Sequence, residues 1–174
     1  LVGVGSQTKK LHDVVGLDKT YVATAQLGVT SDTYDLTGVV VACPTLHVFR
    51  REDNEESLAK FRGTLEQNAP AYSAKKVGGQ KLYELARKGV DVEHLRPTKK
   101  VDITELIVIE YNWPVLKFRV TCSSGTYIRS LANDIGEQLD CGAYLKELRR
   151  TRIGPYKLKD AKSLEDLLTG DWAQ

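Results

Sequence analysis

A mixed α/β domain on a central, largely antiparallel sheet is the fold the sequence predicts. Three observations carry this expectation. Segments with the two-residue period of strands outnumber those with helical period. The segments are joined by short connections, such as Tyr111-Asn112-Trp113-Pro114 between two apolar runs, which favour an antiparallel or mixed sheet with helices packed on it. Finally, 174 residues without an internal repeat or low-complexity stretch suit one domain with a sizeable core.

In chain order, Lys19 to Val29 reads as a strand and Gly38 to Ala42 as another, joined by the polar turn Thr30-Ser31-Asp32-Thr33. Asp53 is placed to cap a helix carrying Leu58, Phe61 and Leu65, with Glu56 at the capping-box position. Asn68 to Ala74 reads as an extended loop in which Pro70 restricts Ala69 to extended backbone. A short helix follows from Gln80 to Lys88, stopped by Gly89. Val101 to Glu110 and Val115 to Cys122 are adjacent strands, the second with Leu116, Phe118 and Val120 alternating against Val115, Lys117 and Arg119. After the turn Ser123-Ser124-Gly125, Ile128, Leu131, Ile135 and Leu139 fall on one helical face. Ser163 to Thr169 is a last short helix, with Asp166 three residues after its cap and Gly170 at its end.

Composition excludes more than it names. Hydrophobic content of 41% and charged content of 28% fit a globular protein. No apolar run approaches membrane-spanning length and no signal peptide is visible, so no membrane partner is expected. Cys43, Cys122 and Cys141 are odd in number and lack metal-type or redox-type spacing, which points to reduced thiols in an intracellular protein. His12, His47 and His94 form no ligand motif, and neither a metal site nor a cofactor is expected. The sequence starts at Leu1 and holds no methionine, so it is expected to be a piece of a longer translation product.

Net charge is only +2, but its distribution is uneven. Residues 145–159 hold Lys146, Arg149, Arg150, Arg152, Lys157 and Lys159 against Glu147 alone. Lys9-Lys10, Lys75-Lys76 with Lys81, and Lys99-Lys100 add smaller basic clusters, while Glu52, Asp53, Glu55 and Glu56 form an acidic one. Such separated patches suit either a polyanion such as RNA held on one face or ordinary solvated charge.

Arg129 is the sharpest single signal. It sits in the first turn of the helix that opens after Ser123-Ser124-Gly125-Thr126-Tyr127, where the helix dipole favours carboxylates and opposes a cation. Either the side chain leaves for solvent or a surface carboxylate, or it is aimed at a catalytic carboxylate or a phosphate.

Several segments, in order and with consistent spacing along nearly the whole chain, are together similar to one family. They are Gly3 to Lys9, Lys19-Thr20-Tyr21 leading to Leu27-Gly28, Thr30 to Gly38, Phe61-Arg62-Gly63, Gln67 to Ala74 and Gly79 to Gly89. Gly125 to Arg129, Asp134-Ile135-Gly136, Cys141-Gly142-Ala143 and Leu148 to Arg152 complete the series. The set resembles the TruB-type tRNA pseudouridine synthases. One departure is Asn68-Ala69-Pro70, where that family usually shows two consecutive prolines.

The resemblance implies a pseudouridine-synthase-like fold and isomerisation of the T-loop uridine at position 55 of tRNA, without cofactor or metal. A uridine stacked in a loop must be flipped into a pocket before its glycosidic bond can be broken and remade through carbon. The resemblance makes Tyr21 the tyrosine that stacks on the flipped base and a candidate general base, and Arg129 the arginine that orients the catalytic aspartate through a forked contact. It places Tyr127 beside the uracil, makes Leu148 an apolar wall and Asp35 a polar pocket residue, and offers Lys9, Arg150 and Arg152 as RNA-backbone contacts. The family's catalytic aspartate belongs to a Gly-rich segment with a Leu-Asp-Pro core upstream of the Gly3-to-Lys9 motif. Asp18, in Leu17-Asp18-Lys19, lacks the proline and lies on the wrong side of that motif, so it is rejected.

The chain is therefore expected to be one catalytic domain over residues 1–174, incomplete at its N-terminus and without the family's small C-terminal RNA-binding module. Its expected partner is the tRNA T arm, with no obligatory protein partner, as a monomer in the cytoplasm. Two other functions compete: a catalytically inactive RNA-binding or RNA-folding protein on the same scaffold, and a guide-RNA-dependent pseudouridine synthase. Tyr21, Tyr127, Arg129 and Leu148 are expected to surround one cleft.

Overall fold

The computed structural model describes residues 1–43 and 50–170. A 3-10 turn over Gly5–Lys10 runs into helix α1, Leu11–Val15, and then into strand β1, Lys19–Leu27. Strands β2 and β3, Val29–Ser31 and Val40–Ala42, form a separate hairpin. Helix α2 spans Arg51–Ala59 and strand β4 Gly63–Asn68; β5 and β6, Lys76–Val77 and Gln80–Lys81, make a small ribbon before helix α3, Leu82–Arg87. The long strand β7, Thr98–Asn112, is followed by β8, Val115–Cys122. Helix α4 is Ile128–Gln138, β9 Ala143–Ile153, β10 Tyr156–Lys157 and α5 Leu164–Thr169.

Six strands form one sheet in the order β10-β9-β1-β8-β7-β4, and every pairing is antiparallel. Alternation along the strands puts Ala23, Ala25 and Leu27 of β1 and Leu116, Phe118 and Val120 of β8 on one buried face, and a register shift between Ile103 and Glu105 brings both Ile103 and Leu106 of β7 onto it. The predicted helical stripe of α4 (Ile128, Leu131, Ile135 and Leu139) packs against them. At about 1.5–3 kcal/mol for each large apolar side chain taken from water, this layer fixes α4, and so its N-terminus, over the sheet. Gly136 lets the helix lie directly on the turn into β9, because a Cβ there would collide with the backbone of Gly142 and Ala143.

The opposite face is polar. Arg152 Nε donates to Thr20 Oγ1 at 3.0 Å, the Thr20 and Thr121 hydroxyls pair at 2.9 Å, and Thr121 donates to Glu105 at 3.1 Å. Arg119 completes this ladder with a 2.9 Å ion pair to Glu105.

Three local expectations need correction. Helix α2 begins at Arg51, with Asp53 at its third position accepting from the Arg50 N–H at 2.7 Å, so Asp53 caps from inside the first turn. The same helix ends at Ala59, and Gly63, at φ +89°, turns the chain into β4, so Leu65 reaches the core from a strand. Part of the supposed turn Thr30 to Thr33 belongs to β2. Most of the basic stretch 145–159 is the strand β9, a pairing partner of β1 that the hydrophobic pattern does not reveal.

Among the described residues, no helix is long and apolar enough to cross a membrane, and no group of three or more His, Cys, Asp or Glu could hold a metal ion. His47 lies outside the described residues.

Candidate active site

Arg129 is the second residue of α4, whose first turn carries no acidic side chain. Its compensation comes from afar in sequence. Nη1 donates to Asp35 Oδ2 at 2.8 Å and to the Thr33 carbonyl at 3.1 Å, while Nη2 donates to the Tyr72 carbonyl at 3.0 Å. The solvent and surface-carboxylate alternatives for this arginine are thereby closed: both side chains of the pair are about three-quarters buried.

Asp35 is held on every side. Its Oδ1 accepts from Thr33 Oγ1 at 2.8 Å, from the Thr37 N–H at 2.9 Å and from Thr37 Oγ1 at 2.6 Å. Burial works against its ionisation, but the hydrogen bonds from Thr37 and Thr33 and the Arg129 charge outweigh it and hold the carboxyl below its ordinary range. The turn closes tightly because Gly38 has no side chain: a Cβ there would strike the Asp32, Thr33 and Ser31 side chains. With four hydrogen bonds on a group offering about four lone-pair positions, Asp35 has little capacity left for chemistry.

Arg129, by contrast, keeps donors in reserve. Three of its five N–H groups are used, which leaves two without an acceptor among the described residues.

The N-terminus of α4 is itself clamped. Gln67 at the end of β4, only 3% exposed, uses its side-chain amide to engage both backbone groups of Tyr127, the residue that precedes the helix. Ser130 Oγ adds a bond to the Asn68 carbonyl at 3.1 Å. Tyr127 is thus set by strand β4 at the head of the helix that carries Arg129.

Tyr21 packs against the core on the face of the sheet that α4 covers, so it and Arg129 share one side. Burial pushes its phenol above the ordinary value, Cys122 adds to this, and a hydrogen bond from Arg150 opposes it. Such a phenol stays protonated at neutral pH, which suits a stacking surface better than a resting base. Arg150 lies opposite Tyr21, and Leu148 opposite Ala23, in the pairing of β9 with β1. Leu148 is 47% exposed and is among the residues lining a cavity with Thr20, Glu105 and Arg152. Lys9 is exposed in the turn ahead of α1.

Arg152 parts from this group. It pairs with Thr20, the neighbour of Tyr21, and therefore points to the polar face, where it is tied to Thr20 Oγ1. A cavity of about 970 Å³ lies over that opposite face, lined by Thr20, Glu105 and Arg152 among others. A smaller one, about 570 Å³, opens beside the Arg129 pair and is lined by Thr33, Thr37, Tyr72, Tyr83, Arg87 and Arg129. Tyr72, Tyr83, Arg87 and Gln67 were not singled out from sequence, although all four lie in the segments that carry the family resemblance.

The fold recurs in solved structures of other proteins. It matches a chain of a Cbf5-Nop10-Gar1 complex with a TM-score of 0.69 and 26% identity, covering 95% of this chain and 40% of that one. It also matches a chain of an H/ACA RNP bound to a substrate RNA, with a TM-score of 0.64 and 23% identity, covering 95% and 38%. Residues 1–128 match the model of the TruB family pseudouridylate synthase N-terminal domain, and residues 129–174 that of the tRNA pseudouridylate synthase B C-terminal domain. The chain belongs to the TruB family of pseudouridylate synthases. It is 46% identical over 166 residues to tRNA pseudouridine synthase B of Phocaeicola vulgatus, covering 95% of this chain and 69% of that protein. The corresponding protein of Clostridium kluyveri is 42% identical over 164 residues, covering 94% and 56%. The chain thus spans between about half and about two-thirds of the length of the curated relatives it matches. The boundary between the two matched segments falls at the start of α4, so both contribute to one hydrophobic core.

Proposed function

We propose that these 174 residues form most of the catalytic domain of a tRNA pseudouridine synthase acting on uridine 55 in the T loop. The observation that carries the reading is Arg129: a partly buried arginine at a helix head, oriented by Asp35 and two carbonyls, with two donors in reserve. A second carboxylate can be held by those donors in forked geometry. Asp35 is too fully hydrogen-bonded to attack, and the family resemblance implies that the reacting carboxylate belongs to a Leu-Asp-Pro segment, which these residues do not contain.

In this mechanism the uridine leaves the stacked loop and its uracil lies against Tyr21, with Tyr127 alongside and Leu148 walling off water. The N1–C1′ bond breaks while the Arg129-oriented carboxylate works at the sugar, by attack or by electrostatic stabilisation. The detached base turns, C5 bonds to C1′, the proton on C5 is lost and N1 gains one, so substrate and product are isomers and no cofactor is consumed. Lys9 and Arg150 contact the RNA backbone and make affinity salt-dependent. The enzyme works on the T arm as a monomer in the cytoplasm without a protein partner. Identity of 42–46% to stand-alone tRNA enzymes, against 26% to a chain of the Cbf5 complex, favours this over a guide-RNA-dependent enzyme.

The test is a pair of assays on a T-arm transcript. The 174-residue chain alone should bind the RNA and form no pseudouridine, whereas the full-length protein should form it. In the full-length protein, Arg129→Lys should lower the saturated rate by the ~2–4 kcal/mol typical of a lost preorganised contact, with RNA affinity nearly unchanged. Product formed by the isolated chain would mean that the nucleophile lies within it. Tenfold weaker RNA binding with the rate intact would make Arg129 a phosphate contact.

A further inference from the structure

A second guanidinium stands behind the first. Arg96, whose side chain is only 9% exposed, donates from Nε to the Ala69 carbonyl at 2.8 Å and from Nη1 to Tyr34 Oη at 3.1 Å and to Glu93. The Ala69 N–H returns a bond to the Pro97 carbonyl at 3.0 Å, so the Arg96-Pro97 step holds Ala69 by both of its backbone groups.

Two of these contacts, Tyr34 and Ala69, lie in the same two chain segments as the partners of Arg129. That arginine takes Thr33 O and Asp35 from one segment and Tyr72 O from another. Tyr34 lies between Thr33 and Asp35, and Ala69 opens the stretch that leads to Tyr72. Two arginines from different elements therefore bridge the same two segments. Tyr34 needs such support, because its φ of +61° is a left-handed backbone conformation that costs free energy in a residue with a side chain. Its backbone is secured by its own N–H to Ser31 O at 3.0 Å and by the Leu145 N–H to Tyr34 O at 2.9 Å, and its ring by Arg96. Asp134, in a family segment to which the proposed mechanism gives no task, lies within the field of Arg96.

We propose that Arg96 is a positioning residue for the Arg129–Asp35 pair. By spanning Tyr34 and Ala69 it sets the separation of the two segments whose acceptors orient Arg129, leaving Arg129's remaining donors free for the reacting carboxylate. Only a planar fork reaches two acceptors held on different segments; a lysine ammonium is a point donor. The consequence for catalysis rests on the isomerase reading, but the clamp itself does not.

The experiment is made on the full-length protein. Arg96→Lys should speed amide hydrogen exchange at Tyr34 and Leu145 by about tenfold or more, while Phe118 and Val120 in the core keep their protection. The saturated rate should fall roughly tenfold to a hundredfold, the cost of about an ångström of misplacement, with KM within about twofold. Added guanidinium should restore part of the rate to Arg96→Ala. Tyr34→Phe, which removes only the hydroxyl that accepts from Arg96 Nη1, should move exchange and rate in the same direction by less. Unchanged exchange at Tyr34 and Leu145 overturns the proposal, and so does a uniform rise that includes the core or a rate that does not fall. If exchange responds as expected but the parent protein makes no pseudouridine, the isomerase reading fails and the clamp stands.

Discussion

Gln67 and Tyr127 are joined like neighbouring strands, though one partner is a side chain. Gln67 Nε2 donates to the Tyr127 carbonyl at 3.0 Å, and Gln67 Oε1 accepts from the Tyr127 N–H at 2.7 Å. The pair ties the end of β4 to the head of α4, 60 residues away, and so places the helix turn that carries Arg129.

Gln67→Glu tests that joint. An ionised carboxylate at a 3%-exposed position can still accept from the Tyr127 N–H but faces the carbonyl with no donor. The variant should lose roughly 1–3 kcal/mol at about pH 7.5, the cost of an unsatisfied buried polar group. Acidification should return part of the loss, since the protonated acid regains a donor. Denaturant unfolding at about pH 7.5 and about pH 4.5 measures both; equal stability of parent and variant at the higher pH would rule the joint unimportant.

Asp134 should make stability depend on pH. Burial, reinforced by Glu137, raises its carboxyl from 3.8 to about 6, against opposing effects from Asn133 and Arg96. A raised carboxyl stabilises the fold fully below its unfolded value of 3.8, and that contribution disappears as pH rises through about 6. Asp134→Asn, which stays neutral, should therefore be more stable than the parent by about 1–3 kcal/mol at about pH 8 and equal to it near about pH 4. Asp35 works in the other direction: its lowered carboxyl contributes stability above 3.8 that is lost only as pH falls through its lower folded value. An advantage for Asp134→Asn that is the same at both pH values would remove Asp134 as the cause.

Arg150 and Arg152 should separate cleanly. Arg150→Ala is expected to weaken T-arm binding and reduce the slope of log affinity against log salt by about 1, as loss of one phosphate contact requires. Lys9→Ala should do the same while sparing single-turnover chemistry at saturation. Arg152→Ala should leave binding alone and cost about 0.5–1.5 kcal/mol of stability through its lost bond to Thr20. Salt-dependent binding titrations decide this, and a changed slope for Arg152→Ala would place RNA on the polar face of the sheet.

Short-range pattern controls the features that were legible in the sequence. The alternation of Leu116, Phe118 and Val120 and the helical stripe from Ile128 to Leu139 state which face each element buries, and both elements formed as read. The cap at Ser163 with Asp166 three residues on closes a reciprocal pair of hydrogen bonds within one helical turn, so no distant contact was needed to predict it. Arg129 could be recognised as a cation needing an anion, because the helix dipole is a local field.

Tertiary structure decided the rest. Asp35 supplies that anion from 94 residues away, a distance only the fold can close. Strand β9 is hidden from pattern reading because only its first three residues are buried and charges dominate the remainder; its conformation is imposed by pairing with β1. Arg150 and Arg152, two apart, would share a face of any regular strand. A register shift opposite Thr20 and Tyr21 leaves Thr151 unpaired between them and puts Arg150 on the face of Tyr21 and Arg152 on that of Thr20. Such a bulge exists only in the pairing of two strands, so no reading of either strand alone contains it.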